Sequence, residues 1–354
     1  MSAFASSGPW LFGKREDLAI FGGSAVLALV LLAIGAALGW LERDLPDWAW
    51  LACVVGVDVA HVWSTAFRVY FDPQELRRRP ILHFGAPLAC WAAGAGLYAV
   101  FGAAGFWRAV AYLAVWHFVR QQYGWVALYR RRAGDKSSFD HVVDTITIYM
   151  ATLWPLVHWH AHLPRRFAWM IQGDFVPIAS WIADLTEPLY WAVLAIFAAR
   201  QLWLWRLGRA NAGKILVVLT TWLCWWLGIV ALDGDYAFTV TNVLIHGIPY
   251  LALTFRWGRA RSTPASLIAA LLRGGVASFT FLLFAIAFAE EALWDRLVWH
   301  DRGWLFGETD DLGALALALI VPLLATPQLT HYVLDAFVWK VRSGKNPELS
   351  RALS

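Results

Sequence analysis

The stretch Val57-Asp58-Val59-Ala60-His61-Val62-Trp63-Ser64-Thr65 decides how the rest of the chain is read. It sets a carboxylate and an imidazole three residues apart inside a run otherwise apolar enough to cross a bilayer. Residues at i and i+3 share a helix face, so Asp58 and His61 are expected to point the same way. Ionisable groups inside a span are costly, face the protein interior and mark function by default. The theme recurs along the chain: His117 stands with Gln121, His141 with Asp144, Asn242 with His246, and His331 with Asp335.

The composition agrees with a membrane setting. Of 354 residues, 60% are hydrophobic and only 15% charged, and apolar runs near 20 residues recur. This is the pattern of an all-α, polytopic membrane bundle, and it argues against a large soluble core. Spans are expected at 18–40, 48–71, 81–104, 106–129, 139–161, 189–206, 214–232, 237–255, 274–294 and 313–339. That makes about ten, in one integral-membrane domain covering 1–354. The run at 18–40 is too long for a signal h-region and has no basic segment before it, so it reads as a retained helix. Residues 163–188 carry Asp174, Asp184 and Glu187 and are expected as an interfacial helix, with a second at 263–273. The 24 Trp and 10 Tyr suit interfacial belts, and Cys53, Cys90 and Cys224 lie in apolar runs without metal-ligand spacing.

Loop charge gives the orientation. With the N-terminus cytoplasmic, the inner loops carry Arg77-Arg78-Arg79, then Arg130-Arg131-Arg132 with Lys136, then Arg206, Arg209 and Lys214, then Arg256, Arg259 and Arg261. A tail with Lys340, Arg342 and Lys345 ends the series. The outer loops hold Glu42, Asp44, Asp47, Asp233, Asp235, Glu290, Glu291, Asp295, Glu308, Asp310 and Asp311, with Arg165 and Arg166 as exceptions. Such alternation predicts an even number of spans with both termini cytoplasmic. The net charge of +4 resides in loops, so it speaks for membrane orientation and against nucleic acid. Arg outnumbers Lys, the bias of a GC-rich genome, so the expected location is a bacterial inner membrane.

At a rise of about 1.5 Å per residue, His61, His117, His246 and His331 fall roughly 12–18 Å above the cytoplasmic boundary. His83 and His141 fall about 5 Å in. A lone intramembrane histidine serves most often as a helix–helix hydrogen bond. Six from six helices, accompanied by Asp58, Asp144 and Asp335, point instead to a metal centre. Imidazole suits iron, zinc and copper, and carboxylates complete sites of the iron type. Asp58 and Asp335 either ligate or orient their histidines through the ring N–H. Gln121, Gln122 and Asn242 are placed to fix tautomers or hold water. Arg120 is an unusual charge at depth, either an ion pair with Asp58 or Asp144 or a substrate contact. Pro327 predicts a kink before Thr330-His331-Tyr332. His158, His160 and His162 chelate only if extended, since i and i+2 do not share a helix face.

Several chemistries find no support. No span carries the widely spaced histidine pair of membrane cytochromes, and the His-Glu-x-x-His motif, glycine-rich phosphate loops and nucleophile elbows are absent. In its logic the arrangement is similar to the membrane desaturases and hydroxylases, which also gather histidines near the cytoplasmic face. Their His-x-x-His-His boxes are missing here, so no residue roles transfer. Ile81-Leu82-His83-Phe84-Gly85 and Leu244-Ile245-His246-Gly247 resemble short elements of the bacterial carotene-cleaving dioxygenases, in a different order and without the flanking acids. That resemblance implies only a substrate class, a long polyene or isoprenoid.

The expected function is a non-haem iron oxidoreductase, mono- or dinuclear, with zinc or copper as alternative occupants. It would act on a lipid-soluble substrate by hydroxylation, desaturation or oxidative cleavage, drawing on an electron donor. The expected ligands are His61, His83, His117, His141, Asp144, His246 and His331, with Asp58, Arg120 and Asp335 in catalytic roles. The competing expectation is a proton-coupled transporter that uses the same His and Asp groups as a relay. A scaffold subunit would explain the tryptophans but not the buried acids.

Overall fold

The computed structural model describes residues 9–309 and 311–339, and it is helical throughout, with no strand among them. Lys340, Arg342 and Lys345 of the expected tail, Asp310 of an expected outer loop, and residues 1–8 lie outside the described residues. A chain this apolar folds as helix because each backbone N–H and C=O must find its partner within its own segment. Nine long helices result among the described residues: α1 (Lys14–Leu38), α2 (Asp47–Arg68), α3 (Pro80–Arg132), α4 (Ser138–Ala161), α5 (Trp181–Arg206), α6 (Ala212–Ala231), α7 (Asp235–Arg261), α8 (Val276–Trp299) and α9 (Ala314–Val338). All but α4 are long and apolar enough to cross a membrane, which makes eight against the ten expected.

The difference has two local causes. The expected spans 81–104 and 106–129 are both present, as the two arms of α3, whose 53 residues would measure about 80 Å if straight, far beyond a bilayer core of about 30 Å. At Gly102 the backbone takes φ 69°, ψ −174°, a conformation only glycine adopts readily. The chain folds back there, since the Tyr98 and Phe106 rings stand 5.7 Å apart and a Cβ on Gly94 would lie 3.3 Å from Phe106. The second case is α4, whose apolar run is diluted by Asp140, His141 and Asp144 at its start and by His158 and His160 at its end.

The contacts divide the chain into two compact units. One comprises residues 9–49 and 114–249, the other 50–113 and 250–339. In the first, α1 stops at Gly39 (φ 69°), with Trp40 N–H bonding Gly35 C=O at 2.8 Å, a left-handed glycine cap. Gly35 also admits the Tyr236 ring, which a Cβ would meet at 2.3 Å, and Tyr236 Oη donates to Leu31 C=O at 2.7 Å. Asn211 caps α6 and donates to Tyr129 C=O at 2.9 Å, while Tyr129 Oη donates to buried Asp17 at 2.7 Å. Residues 163–180, expected as an interfacial helix, are irregular chain, and helix resumes at Trp181. Arg165, an exception to the loop-charge pattern, is buried there. It binds Asp233 at 2.7 Å and the carbonyls of Ile229 and Leu232 at 2.9 and 2.8 Å, closing the C-terminal end of α6. It neutralises a helix end instead of marking a membrane side.

In the second unit, Asp72 caps the short helix Pro73–Arg78 through the N–H groups of Gln74 and Glu75 and pairs with Arg261 at 2.6 Å. Arg68, at the end of α2, is 1% exposed. It stacks 3.9 Å over Trp257, pairs with Glu75 at 3.3 Å and donates to Val338 C=O at 2.8 Å. The kink expected at Pro327 is a break at Ala325, between the helical segments Ala314–Leu324 and Thr326–Val338. The second segment presents His331. Residues 263–273, expected as a small helix, contain Leu267–Leu271.

Candidate metal centre

In the second unit, α2, the last part of α7 and α9 bring polar groups together in apolar surroundings. The backbone of α2 winds as a π-helix over Trp50–Val59 and as an α-helix from Ala60. This wide turn ends just before His61, a distortion frequent at functional sites. Asp58 Oδ1 stands 3.5 Å from His61 Nδ1, as their i, i+3 spacing predicts. The His61 and His331 rings lie 5.0 Å apart, nearly perpendicular at 84°, with ring nitrogens within 4.8 Å of one another. Two nitrogens sharing one ion at about 2.0–2.1 Å each sit roughly 3 Å apart, a gap that a small side-chain rotation closes. Both histidines are buried, at 2% and 1% exposure.

A hydrogen-bond chain fixes His331. Tyr250 Oη donates to Asp335 Oδ1 at 2.6 Å, and Trp339 Nε1 donates to the same oxygen at 3.1 Å. Thr65 Oγ1 lies 3.3 Å from Tyr250 Oη and 2.7 Å from His331 Nδ1. An ionised Asp335 only accepts, so Tyr250 donates to it. Thr65 Oγ1 bridges Tyr250 Oη and His331 Nδ1, and His331 Nε2 stands 3.8 Å from Asp335 Oδ2. Sequence reasoning missed Thr65 and Tyr250. The available signal was helical spacing, since Thr65 stands four residues after His61 and Tyr250 four after His246.

The acids Glu290 and Glu291, assigned to an outer loop on sequence, lie on α8 instead. Glu290 accepts hydrogen bonds from the indoles of Trp63 and Trp294, the latter at 3.3 Å. The apolar run of α8 carries them into the helix because Trp294 and Leu293 beyond them continue it.

His117 and His246 meet in the first unit, where their rings lie 5.2 Å apart and His246 stacks on Phe118 at 3.6 Å and 7°. Gln121 reaches His246 through its backbone, donating Nε2–H to the carbonyl at 2.7 Å. Gln122 accepts from Thr221 at 3.0 Å, and Asn242 donates to Phe238 C=O and Thr241 Oγ1. These amides serve helix contacts.

The remaining expected residues are placed differently. Asp144 is fully buried, and its Oδ2 binds Arg130 at 2.6 Å and Lys214 at 2.9 Å. Two cations from its own chain already neutralise this carboxylate. Arg120, expected in a catalytic role, as an ion pair with Asp58 or Asp144 or as a substrate contact, is exposed; it donates to Tyr149 Oη and lies 4.9 Å over the Tyr123 ring. His141 is exposed, beside Arg130, Arg131 and Lys136. His83 is buried, with Nδ1 3.4 Å from Leu76 C=O, and its own carbonyl accepts from Tyr70 at 2.9 Å. His158 and His162 stack at 4.0 Å, and His160 stacks on Phe175; His158 and His160 lie on the last turn of α4 and His162 just beyond it, so the three do not form an extended chelate.

Comparison with protein-family models, with curated proteins and with solved structures finds no match to this chain.

Proposed function

We propose that this chain is a multi-pass membrane metalloenzyme, both termini cytoplasmic, in which His61 and His331, with Asp58 and Asp335, hold iron. It oxidises a lipid-soluble substrate, using molecular oxygen and, for hydroxylation or desaturation, an external electron donor. The observation that carries this reading is a pair of buried imidazoles, His61 and His331, whose ring nitrogens lie within 4.8 Å of one another, each beside a carboxylate oxygen at 3.5 and 3.8 Å. Asp58 Oδ1 accepts no hydrogen bond among the described residues. Buried polar groups so placed are stabilised by a cation they can share. Two imidazoles with one or two carboxylates are the donor set of non-haem iron sites with open positions.

Bound iron would supply redox chemistry at those open positions. The protein's share is orientation. Thr65, hydrogen-bonded to His331 Nδ1 and linked through Tyr250 to Asp335, holds the ring in place, and the surrounding apolar helices exclude water. His117 and His246 stay in the proposal as further imidazoles. Elemental analysis of purified protein, wild type beside His331→Ala and His117→Ala, tests it. We expect one or two equivalents of iron, reduced in the variants while the protein stays monodisperse. A wild-type protein without transition metal after iron resupply would overturn the assignment.

One observation favours a second reading, proton-coupled transport. The chain from His331 through Thr65 and Tyr250 to Asp335 is a ready proton relay. Proton uptake by liposomes containing metal-free protein, abolished in Asp335→Asn, would support it.

A further inference from the structure

A groove of about 530 Å³ lies in the first unit where α3 ends and α4 begins. Tyr123, Val126, Ala127, Arg130 and Arg131 line it from α3, with the i, i+3, i+4, i+7 spacing of one helix face. Ser138, His141, Val142 and Thr145 line it from α4 with the same spacing. The turn between the helices adds Asp135, Lys136 and Ser137. The lining thus carries three cationic side chains against one carboxylate, all near the turn. Arg130 is also bound to Asp144 and Asp135, which fixes it as a rigid wall. Arg131, Lys136 and His141 are exposed.

The character of the groove changes along the helices. Away from the turn it is lined by Tyr123, which stacks on Tyr149 at 5.4 Å, and by Val126 and Val142. Beside it α4 exposes Phe139, Val142 and Ile146, again on one face. A cationic end at the mouth of two apolar helices, continued by an exposed apolar strip, matches a molecule with an anionic head and a hydrocarbon tail. We propose that this groove binds an anionic phospholipid, with its phosphate at Arg131, Lys136 and His141 and one acyl chain along Tyr123 and Val142. Basic pockets at the ends of membrane helices recognise anionic headgroups in this way. The site is independent of the metal centre, and it gives His141 a role outside the ligand set.

The test uses native mass spectrometry of the full-length, detergent-solubilised protein titrated with short-chain phosphatidylglycerol. Phosphatidylcholine serves as the zwitterionic arm and inorganic phosphate as the free-anion arm. Arg131→Gln with Lys136→Gln removes two charges from the groove, and Lys14→Gln with Arg15→Gln removes two exposed charges elsewhere. At the usual contribution of a basic residue beside an anionic lipid, the groove variant should bind phosphatidylglycerol about thirtyfold more weakly. The control variant and the wild type should bind it alike, and phosphatidylcholine should bind poorly to all. An equal loss in the control variant would overturn the site in favour of diffuse surface charge. Equal binding of phosphatidylcholine, or displacement by inorganic phosphate at the lipid's own concentration, would overturn the lipid assignment.

Discussion

Tyr250→Phe tests whether the hydrogen-bond chain prepares His331 for a cation. The substitution removes one oxygen that donates to Asp335 at 2.6 Å and stands 3.3 Å from Thr65 and 3.1 Å from Trp339. The ring stays, with its edge-on packing against His61 and His331 at 5.7 and 5.0 Å. Without that oxygen, Thr65 and Asp335 each lose a partner in the chain that orients His331. Loss of a partner that orients a ligating histidine costs about 10–100-fold in metal affinity. Hydrogen bonds to a charged acceptor contribute about 1.5–3 kcal/mol, so the melting temperature should fall as well. Thr65→Val opens the chain at its next link and should weaken metal binding by a similar factor. The two links act on one proton order, so the double variant should bind metal about as well as either single one. Iron affinity measured by competition with a chelator, on all four proteins, gives the coupling directly. Unchanged affinity in Tyr250→Phe despite a lower melting temperature would refute the reasoning, since the hydroxyl would then be only structural. Losses that multiply in the double variant would refute the shared chain.

Two further outcomes concern stability. Asp144→Asn leaves Arg130 and Lys214 facing each other without their shared carboxylate, in a place where Asp144 is fully buried and Lys214 is 2% exposed. Breaking a buried ion pair in this way costs about 3–5 kcal/mol, to be read as a large fall in thermal stability in detergent, with metal content per folded molecule unchanged. Asp72 lies between helices and gives a pH signature. Burial pushes its carboxyl up, but Arg261 and the N–H groups of Glu75 and Gln74 together hold it below the usual value. A depressed folded pKa stabilises above the unfolded value of about 3.9 and loses that contribution as pH falls through the folded value. The stability gap between wild type and Asp72→Asn should therefore be constant from neutral pH to about 5 and close below about 4. A gap independent of pH down to 3 would show that the charge of Asp72 contributes nothing.

What could be read in advance follows from the range of each interaction. The pairs Asp58 with His61 and His331 with Asp335 were legible because one helical turn joins them, and spacing alone sets that geometry. The helices were legible because hydropathy is local, and the turn of α3 at Gly102 falls beside the break expected between 104 and 106; α4 was less so, because its own Asp and His residues dilute its apolar run. The ion pairs of Asp144 could not be read because its partners stand 14 residues before it and 70 after it, beyond any local pattern. Arg165 broke the charge rule because it serves the end of a helix more than 60 residues away. Thr65 and Tyr250 were hidden for another reason. Neutral hydroxyls are inexpensive in apolar helices, so their presence gives no warning, and only a partner makes them significant.

The same energetics separates the acids of this protein. A carboxylate out of water must find a cation or donors, and Asp144 has found two cations from its own chain. Asp335 has two donors on one oxygen, while its other oxygen faces a His331 ring nitrogen at 3.8 Å. Asp58 presents a buried oxygen to His61 that accepts no hydrogen bond among the described residues. Acids paired with cations of their own chain hold the helices together; Asp58 and Asp335 have oxygens turned toward imidazoles. Both functional readings answer that need with a cation, a metal ion in one and a proton in the other. The Thr65–Tyr250 chain separates them: a metal requires it to keep one direction, and a relay requires it to reverse. A locked chain should keep one histidine tautomer across the pH range of activity, readable from the imidazole nitrogen shifts of His331 in labelled protein. Exchange between tautomers in the presence of saturating iron would count against the metal and for the relay.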